Sequence, residues 1–197
     1  YSYPERITDK FIEVLKNEEK LVKYIDMPIQ HCNDEVLKRM NRKSNKKMLT
    51  DLVMKLRKEI PDITLRTTLI TGFPGETDEQ FEELCEFVKE MRFDRLGCFA
   101  YSREEGTPAY NFENQIDEDV KEKRAEIVMD EQTRIFYELN ENKIGQVVEV
   151  VTEGFDRYAE CYFGRSVYDA PEIDGKIFFT SERKLALGEF VNVLIDD

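Results

Sequence analysis

The chain has 197 residues, 41% of them hydrophobic and 36% charged, with a mean hydropathy of −0.57 and a formal net charge of −13. That length can bury one medium core and a second small one, and no stretch approaches the roughly 20 apolar residues of a membrane span. The acidic balance disfavours direct nucleic-acid binding, because phosphate contacts need clustered Lys and Arg, and it suits a basic protein partner.

Residues 1–10 carry Pro4, Glu5, Arg6 and Asp9 without an apolar centre, so they do not read as a secretory signal. Residues 9–21 place Phe11, Val14, Leu15 and Leu21 mostly at helical spacing and predict an amphipathic helix. Residues 24–30 predict a short buried strand that turns outward at Pro28. Asn33 or Asp34 suits the cap of a following helical turn, and Ser44 the cap of a longer helix whose stripe is Leu49, Leu52, Val53, Leu56 and Ile60. A β-branched run at 63–71 then meets the tight loop Gly72-Phe73-Pro74-Gly75-Glu76-Thr77. Thr77 and Gln80 have capping-box spacing, ahead of a helix burying Phe81, Leu84, Cys85, Val88 and Met91. Residues 95–102 predict a third strand, and connections of helix length imply parallel pairing with right-handed crossovers.

From 117 to 143 the chain is dense in charge yet keeps Val120, Arg124, Ile127, Val128, Ile135 and Leu139 on a helical face. Beyond Gly145 the pattern changes to short apolar runs at 147–151, 158–167, 177–180 and 190–195, which predict a small antiparallel barrel. Residues 144–197 hold five Lys or Arg against eleven Asp or Glu, a balance of −6. The expected division is therefore 1–116, an α/β portion; 117–143, a connecting helix; and 144–197, a β module.

Cys32, Cys85, Cys98 and Cys161 are too far apart for C-x2-C metal or redox spacing, and such usage fits a reducing, cytoplasmic setting. Cys98 reads as a small core residue. His31 is the only histidine, which excludes a histidine-based triad or a multi-histidine metal site within the chain, and it is expected to be structural. Ligands in parallel α/β folds gather at the C-terminal ends of strands, so the loops after residues 30, 71 and 101 are the candidate site. Glu76, Glu104 and Glu105 are expected as solvated loop charges. Arg66, within an apolar strand, calls for a carboxylate or phosphate if it faces inward.

At these segments the chain resembles the radical S-adenosylmethionine methylthiotransferases, most closely the RimO-type enzymes that modify an aspartate of small-subunit ribosomal protein twelve. The resemblance is carried by Tyr24-Ile25-Asp26-Met27-Pro28-Ile29-Gln30-His31, Val36-Leu37-Lys38-Arg39-Met40-Asn41-Arg42, Leu65-Arg66-Thr67-Thr68, the Gly72 to Thr77 loop, Arg92-Phe93-Asp94-Arg95-Leu96-Gly97 and Tyr101 to Ala109. In the terminal module, Ala170-Pro171-Glu172-Ile173-Asp174-Gly175 is similar to the ribosomal-protein branch in particular.

The resemblance implies the C-terminal part of a radical-SAM partial TIM-like barrel with parallel strands, followed by a small antiparallel β-barrel of the TRAM/OB-like type. It implies S-adenosyl-L-methionine and two 4Fe-4S clusters in the full-length enzyme, and a radical that takes hydrogen from an unactivated C–H bond before a methylthio group is added. The C-x3-C-x2-C motif of the radical-generating cluster is not in this sequence, so the cluster ligands are absent from the chain, which alone is expected to be inactive. The closing strand of the family's terminal module is likewise expected to be missing after Asp197. By position, Gln30, Arg66, Thr67, Gly72, Tyr101 and Ser102 match segments lining the cofactor side. The expected partner is a basic small-subunit ribosomal protein, met by the acidic module. The alternatives are a transfer-RNA methylthiotransferase or an RNA-binding TRAM module.

Overall fold

A computed structural model describes residues 1–196. Its α/β part runs α1 (Asp9–Asn17), β1 (Tyr24–Asp26), α2 (Asp34–Arg39), α3 (Lys46–Glu59), β2 (Thr64–Thr71), α4 (Asp78–Met91) and β3 (Arg95–Ala100). The three strands form a parallel sheet in the order β1-β2-β3, with Asp26 opposite Arg66 and Arg66 opposite Arg95. Helix α5 (Glu118–Glu141) packs on β3, α4 and β2. The second part is a four-stranded antiparallel sheet of β4 (Val147–Asp156), β5 (Cys161–Arg165), β6 (Ile177–Phe179) and β7 (Phe190–Leu194), ordered β6-β5-β4-β7.

Period-two alternation in β2 decides which face is covered. Leu65, Thr67, Leu69 and Thr71 are buried, whereas Arg66, Thr68 and Ile70 are only partly covered. Leu65, Leu69, Leu96 and Cys98 join Leu49, Leu56, Leu84, Phe87 and Ile135 in one core between sheet and helices. Each fully buried Leu side chain there contributes about 1.5–3 kcal/mol over exposure. The opposite face carries no helix among the described residues and presents Tyr24, Asp26 and Pro28 from the β1 segment and Arg95, Gly97 and Phe99 from β3, with Phe99 61% exposed.

Several local expectations need correction. Helix α1 ends at Asn17 and turns Ile12 and Leu15 inward, leaving Phe11 and Val14 exposed, because α3 contacts the other side of the predicted stripe. Asn45, not Ser44, caps α3, its side chain accepting from Met48 N–H at 2.9 Å, while Ser44 is buried. Val120 and Ile127 on α5 are exposed, and the side chains of Lys121, Arg124 and Gln132 are buried instead. Tyr158 lies in the turn between β4 and β5. The capping box of Thr77 and Gln80 forms as predicted. The terminal sheet is a half-barrel with β6 and β7 as its edges, which fits a TRAM/OB-like module. Asp197, on which the expectation of a missing closing strand rests, lies outside the described residues.

Candidate functional site

The C-terminal ends of the three strands meet in a mouth whose wall is apolar. Phe73 packs edge-on against Tyr101 at 5.1 Å and Phe112 at 6.1 Å, with Val36, Met40, Ile70 and Ala109 around them. Gln30 stands at the rim of the open face in left-handed backbone, φ 71°, a conformation uncommon for a residue other than Gly or Asn. Two backbone hydrogen bonds hold it there: its N–H donates to Thr68 O at 2.9 Å, and its carbonyl accepts from Ile70 N–H at 2.8 Å.

Behind the mouth lies a buried polar cluster. Glu76 is 4% exposed and accepts the N–H of Gly72, which itself sits at φ 72°. Its carboxylate stands 3.7 Å from His31 Nε2 and 3.7 Å from Arg124. His31 is wholly buried and accepts Asn33 N–H at Nδ1, 3.0 Å, which leaves Nε2 directed at Glu76. The expectation that Glu76 is a solvated loop charge is therefore overturned. Four residues separate it from Gly72, so its side chain folds back to satisfy the loop's own backbone in a place water does not reach. Glu104 and Glu105 are exposed as expected.

The other end of the open face is built from charge. Arg66 pairs with Asp26 at 2.5 Å, and Asp174, from the loop between β5 and β6, stands 3.9 Å from Arg66 and 3.8 Å from Arg95. Arg95 also pairs with Asp169 at 2.8 Å. Asp169 is anchored by Ser166, whose Oγ–H donates to it at 2.7 Å. Burial pulls the Arg66 guanidinium down, but hydrogen bonding and charge from Asp26 outweigh it, so the proton is held above the ordinary arginine value.

The six site residues expected from sequence thus separate into three settings. Gln30 and Arg66 lie on the open face, at opposite ends. Gly72, Tyr101 and Ser102 follow the strand ends. Burial raises the Tyr101 phenol, and its hydroxyl has no hydrogen-bond partner among the described residues. Ser102 is exposed and donates to Glu104 at 2.6 Å. Thr67 faces the helices, fully buried, and donates to Met27 O at 2.9 Å, bracing β1 on β2.

The family model for the radical SAM superfamily matches residues 2–88, and that for the TRAM domain matches residues 144–197. The chain belongs to the radical SAM superfamily and carries a TRAM domain. Across all 197 residues it is 50% identical to proteins named ribosomal protein uS12 methylthiotransferase RimO from Thermoanaerobacter sp. (strain X514) and from Caldanaerobacter subterraneus subsp. tengcongensis. A namesake from Clostridium novyi is 50% identical over 198 aligned residues. The chain spans 44% of the length of each of these relatives. Among solved structures, coproporphyrinogen III oxidase (HemN) from Escherichia coli, described as a radical SAM enzyme, matches at 23% identity and TM-score 0.49, over 69% of this chain and 31% of that one.

The radical SAM region has residues that suit one of the implied cofactors and not the other. Unpartnered polar groups at the mouth, the Tyr101 hydroxyl and the Gln30 carboxamide, stand beside the exposed Phe99 ring and Ile70, a donor and apolar set of the kind an adenosyl group needs. For an iron–sulfur cluster the side chains do not fit. Cys32 and Cys98 are buried, Cys85 and Cys161 lie apart on α4 and β5, and among the described residues no three His, Cys, Asp or Glu converge on a metal position.

Sequence reading missed Asp26, Asp169 and Arg95 as partners of Arg66 and Asp174. The signal was present for two of them: alternation from Arg66 through a parallel register puts Asp26 and Arg95 on its own face. Asp169 and Asp174 reach that face only through the tertiary placement of the TRAM domain.

Proposed function

We propose that the chain is the later part of the catalytic barrel, with its TRAM domain, of a methylthiotransferase that places a methylthio group on the β-carbon of an aspartate in a basic small-subunit ribosomal protein by radical SAM chemistry. The observation that carries this reading is the unbroken 50% identity through the radical SAM region, the linking helix and the TRAM domain to proteins of that name. S-adenosyl-L-methionine supplies the radical when bound. Within this reading, Gln30, Tyr101 and Ser102 contact it at the mouth, Gly72 holds the loop after β2 close, Thr67 braces the strand, and Arg66 sets charge on the open face. The cluster ligands come from outside these 197 residues, so the chain by itself is inactive. The reading places it in the cytoplasm, in keeping with four free cysteines; among the described residues no helix is long and apolar enough to cross a membrane.

The TRAM domain's balance of −6 favours a basic protein over RNA by the direction of its field. Fluorescence anisotropy of this chain against the purified ribosomal protein and against transfer RNA, over a salt series, tests the assignment. Salt-sensitive binding to the protein alone is expected. Salt-sensitive binding to RNA with none to the protein overturns the assignment in favour of an RNA-directed enzyme.

A further inference from the structure

Three arginines stand at the open face of the parallel sheet or beside its rim, and two are neutralised. Arg66 is held by Asp26 and Asp174, and Arg95 by Asp169 and Asp174. Arg42, in the turn after α2, differs. Among the described residues its guanidinium meets no carboxylate within ion-pair distance and makes no side-chain hydrogen bond; it lies over the Tyr3 ring at 5.5 Å. Stacking on an aromatic leaves the guanidinium's in-plane donors free for a planar acceptor.

A second observation places a ligand in front of it. Arg42, Gln30, Thr68, Pro28 and Tyr3 line one cavity of about 320 Å³ at the rim of the open face. The side chains of Gln30 and Thr68 likewise make no hydrogen bond among the described residues, so three polar groups converge on the same space with none satisfied internally. Gln30 also occupies its left-handed conformation there, at a cost of about 1–2 kcal/mol. Strain at a cavity wall, next to an unspent guanidinium, marks a binding position better than either feature alone.

We propose that Arg42, assisted by Gln30 and Thr68, forms a carboxylate-binding subsite at this rim. A guanidinium fork pairs two donors with two carboxylate oxygens, and the carboxamide and hydroxyl complete the oxyanion's remaining lone pairs. The inference rests on the methylthiotransferase reading for its two sources of that chemistry: the side chain of the target aspartate, and the amino-acid end of S-adenosylmethionine. Capture of the aspartate by its own carboxylate fixes its β-carbon within a bond length or two of the clamp, which is the atom the proposed reaction addresses.

Two probe pairs distinguish the sources on this chain by isothermal titration calorimetry. The first is a basic peptide with a single aspartate and its asparagine counterpart; the second is S-adenosylmethionine and 5′-methylthioadenosine, which lacks the carboxylate. The wild-type chain is expected to prefer the carboxylate member of at least one pair by about tenfold, a difference of about 1.4 kcal/mol, and Arg42→Met to abolish that preference while Arg42→Lys keeps part of it. Thermal unfolding checks that both variants fold, as expected for a side chain without internal ion pairs. Loss of the peptide preference assigns the subsite to the substrate, and loss of the cofactor preference assigns it to S-adenosylmethionine. If the wild type shows neither preference, or Arg42→Met leaves the preference intact, the inference is overturned. The methylthiotransferase reading then still stands or falls on whether the ribosomal protein binds.

Discussion

Tyr24, the first residue of β1, donates its hydroxyl hydrogen to Asp174 of the TRAM domain at 2.7 Å, across 150 positions of sequence. Asp174 also accepts Ala170 N–H at 2.8 Å and faces Arg66 and Arg95, so one carboxylate ties a loop of the β module to all three strands of the parallel sheet. Its side chain is 4% exposed. Replacing it with Ala strands two partly buried guanidinium groups and a phenol, and is expected to cost about 2–3 kcal/mol, against about 1 kcal/mol for Tyr24→Phe. Urea unfolding measures both, and limited proteolysis near residues 166–176 should accelerate in the Asp174 variant only. Equal stability of Asp174→Ala and the wild type would remove the latch from the account.

The loop after β2 depends on two glycines for different reasons. A Cβ on Gly72 would overlap the Lys121 side chain, whose ammonium donates to Tyr101 O at 2.9 Å, and φ is 72°. Gly75 also has positive φ, 79°, but a Cβ there would find its nearest neighbour, Arg39, at 3.7 Å. Gly75→Ala is therefore expected to cost about 1 kcal/mol from backbone strain alone, and Gly72→Ala at least twice that, because Lys121 must move as well. Thermal denaturation of the pair should show this order; the reverse order contradicts it.

Glu76 holds the same loop from within. Glu76→Ala leaves the Gly72 N–H buried without an acceptor and is expected to cost about 2–3 kcal/mol, whereas Glu76→Gln keeps an acceptor and costs about 1 kcal/mol. Arg124 limits the damage by retaining Asp78 at 2.5 Å. Hydrogen exchange of the Gly72 amide reports the change directly, with protection falling in the Ala variant and largely kept in the Gln variant.

These residues also show what was legible beforehand. Thr77 and Gln80 announce their helix start because a capping box is local, and the β-branched run of β2 announces itself in the same way. Which side of α1 is buried was not legible, since Phe11 and Ile12 are equally apolar and only the position of α3 chooses between them. Glu76 and Asp174 look like ordinary surface acids in sequence. Their burial follows from partners 45 to 150 positions away, His31, Arg124 and Tyr24, that no periodicity connects.

The buried thiols and Tyr24 make alkaline pH a probe of the fold. Burial pushes the Cys85 thiol up to about 11 and the Cys98 thiol up to about 12, from an ordinary value of 9.0, and it raises Cys32 and the Tyr24 phenol as well. Above about pH 9 the unfolded chain releases thiol protons that the folded chain retains. The unfolded state then binds fewer protons, so stability falls as pH rises and is unaffected by these groups below pH 8. Cys98, 9% exposed, alone should remove about 2–3 kcal/mol between pH 8 and pH 11. Urea midpoints for the wild type and Cys98→Ala over that range test the sign, with the variant expected to lose less stability on the alkaline side. Iodoacetamide, which needs the thiolate, should label Cys98 of the folded chain only slowly at pH 8 and rapidly once the chain is unfolded. A wild-type stability that is flat to pH 11 would mean that these thiols ionise in the folded chain as freely as in the unfolded one.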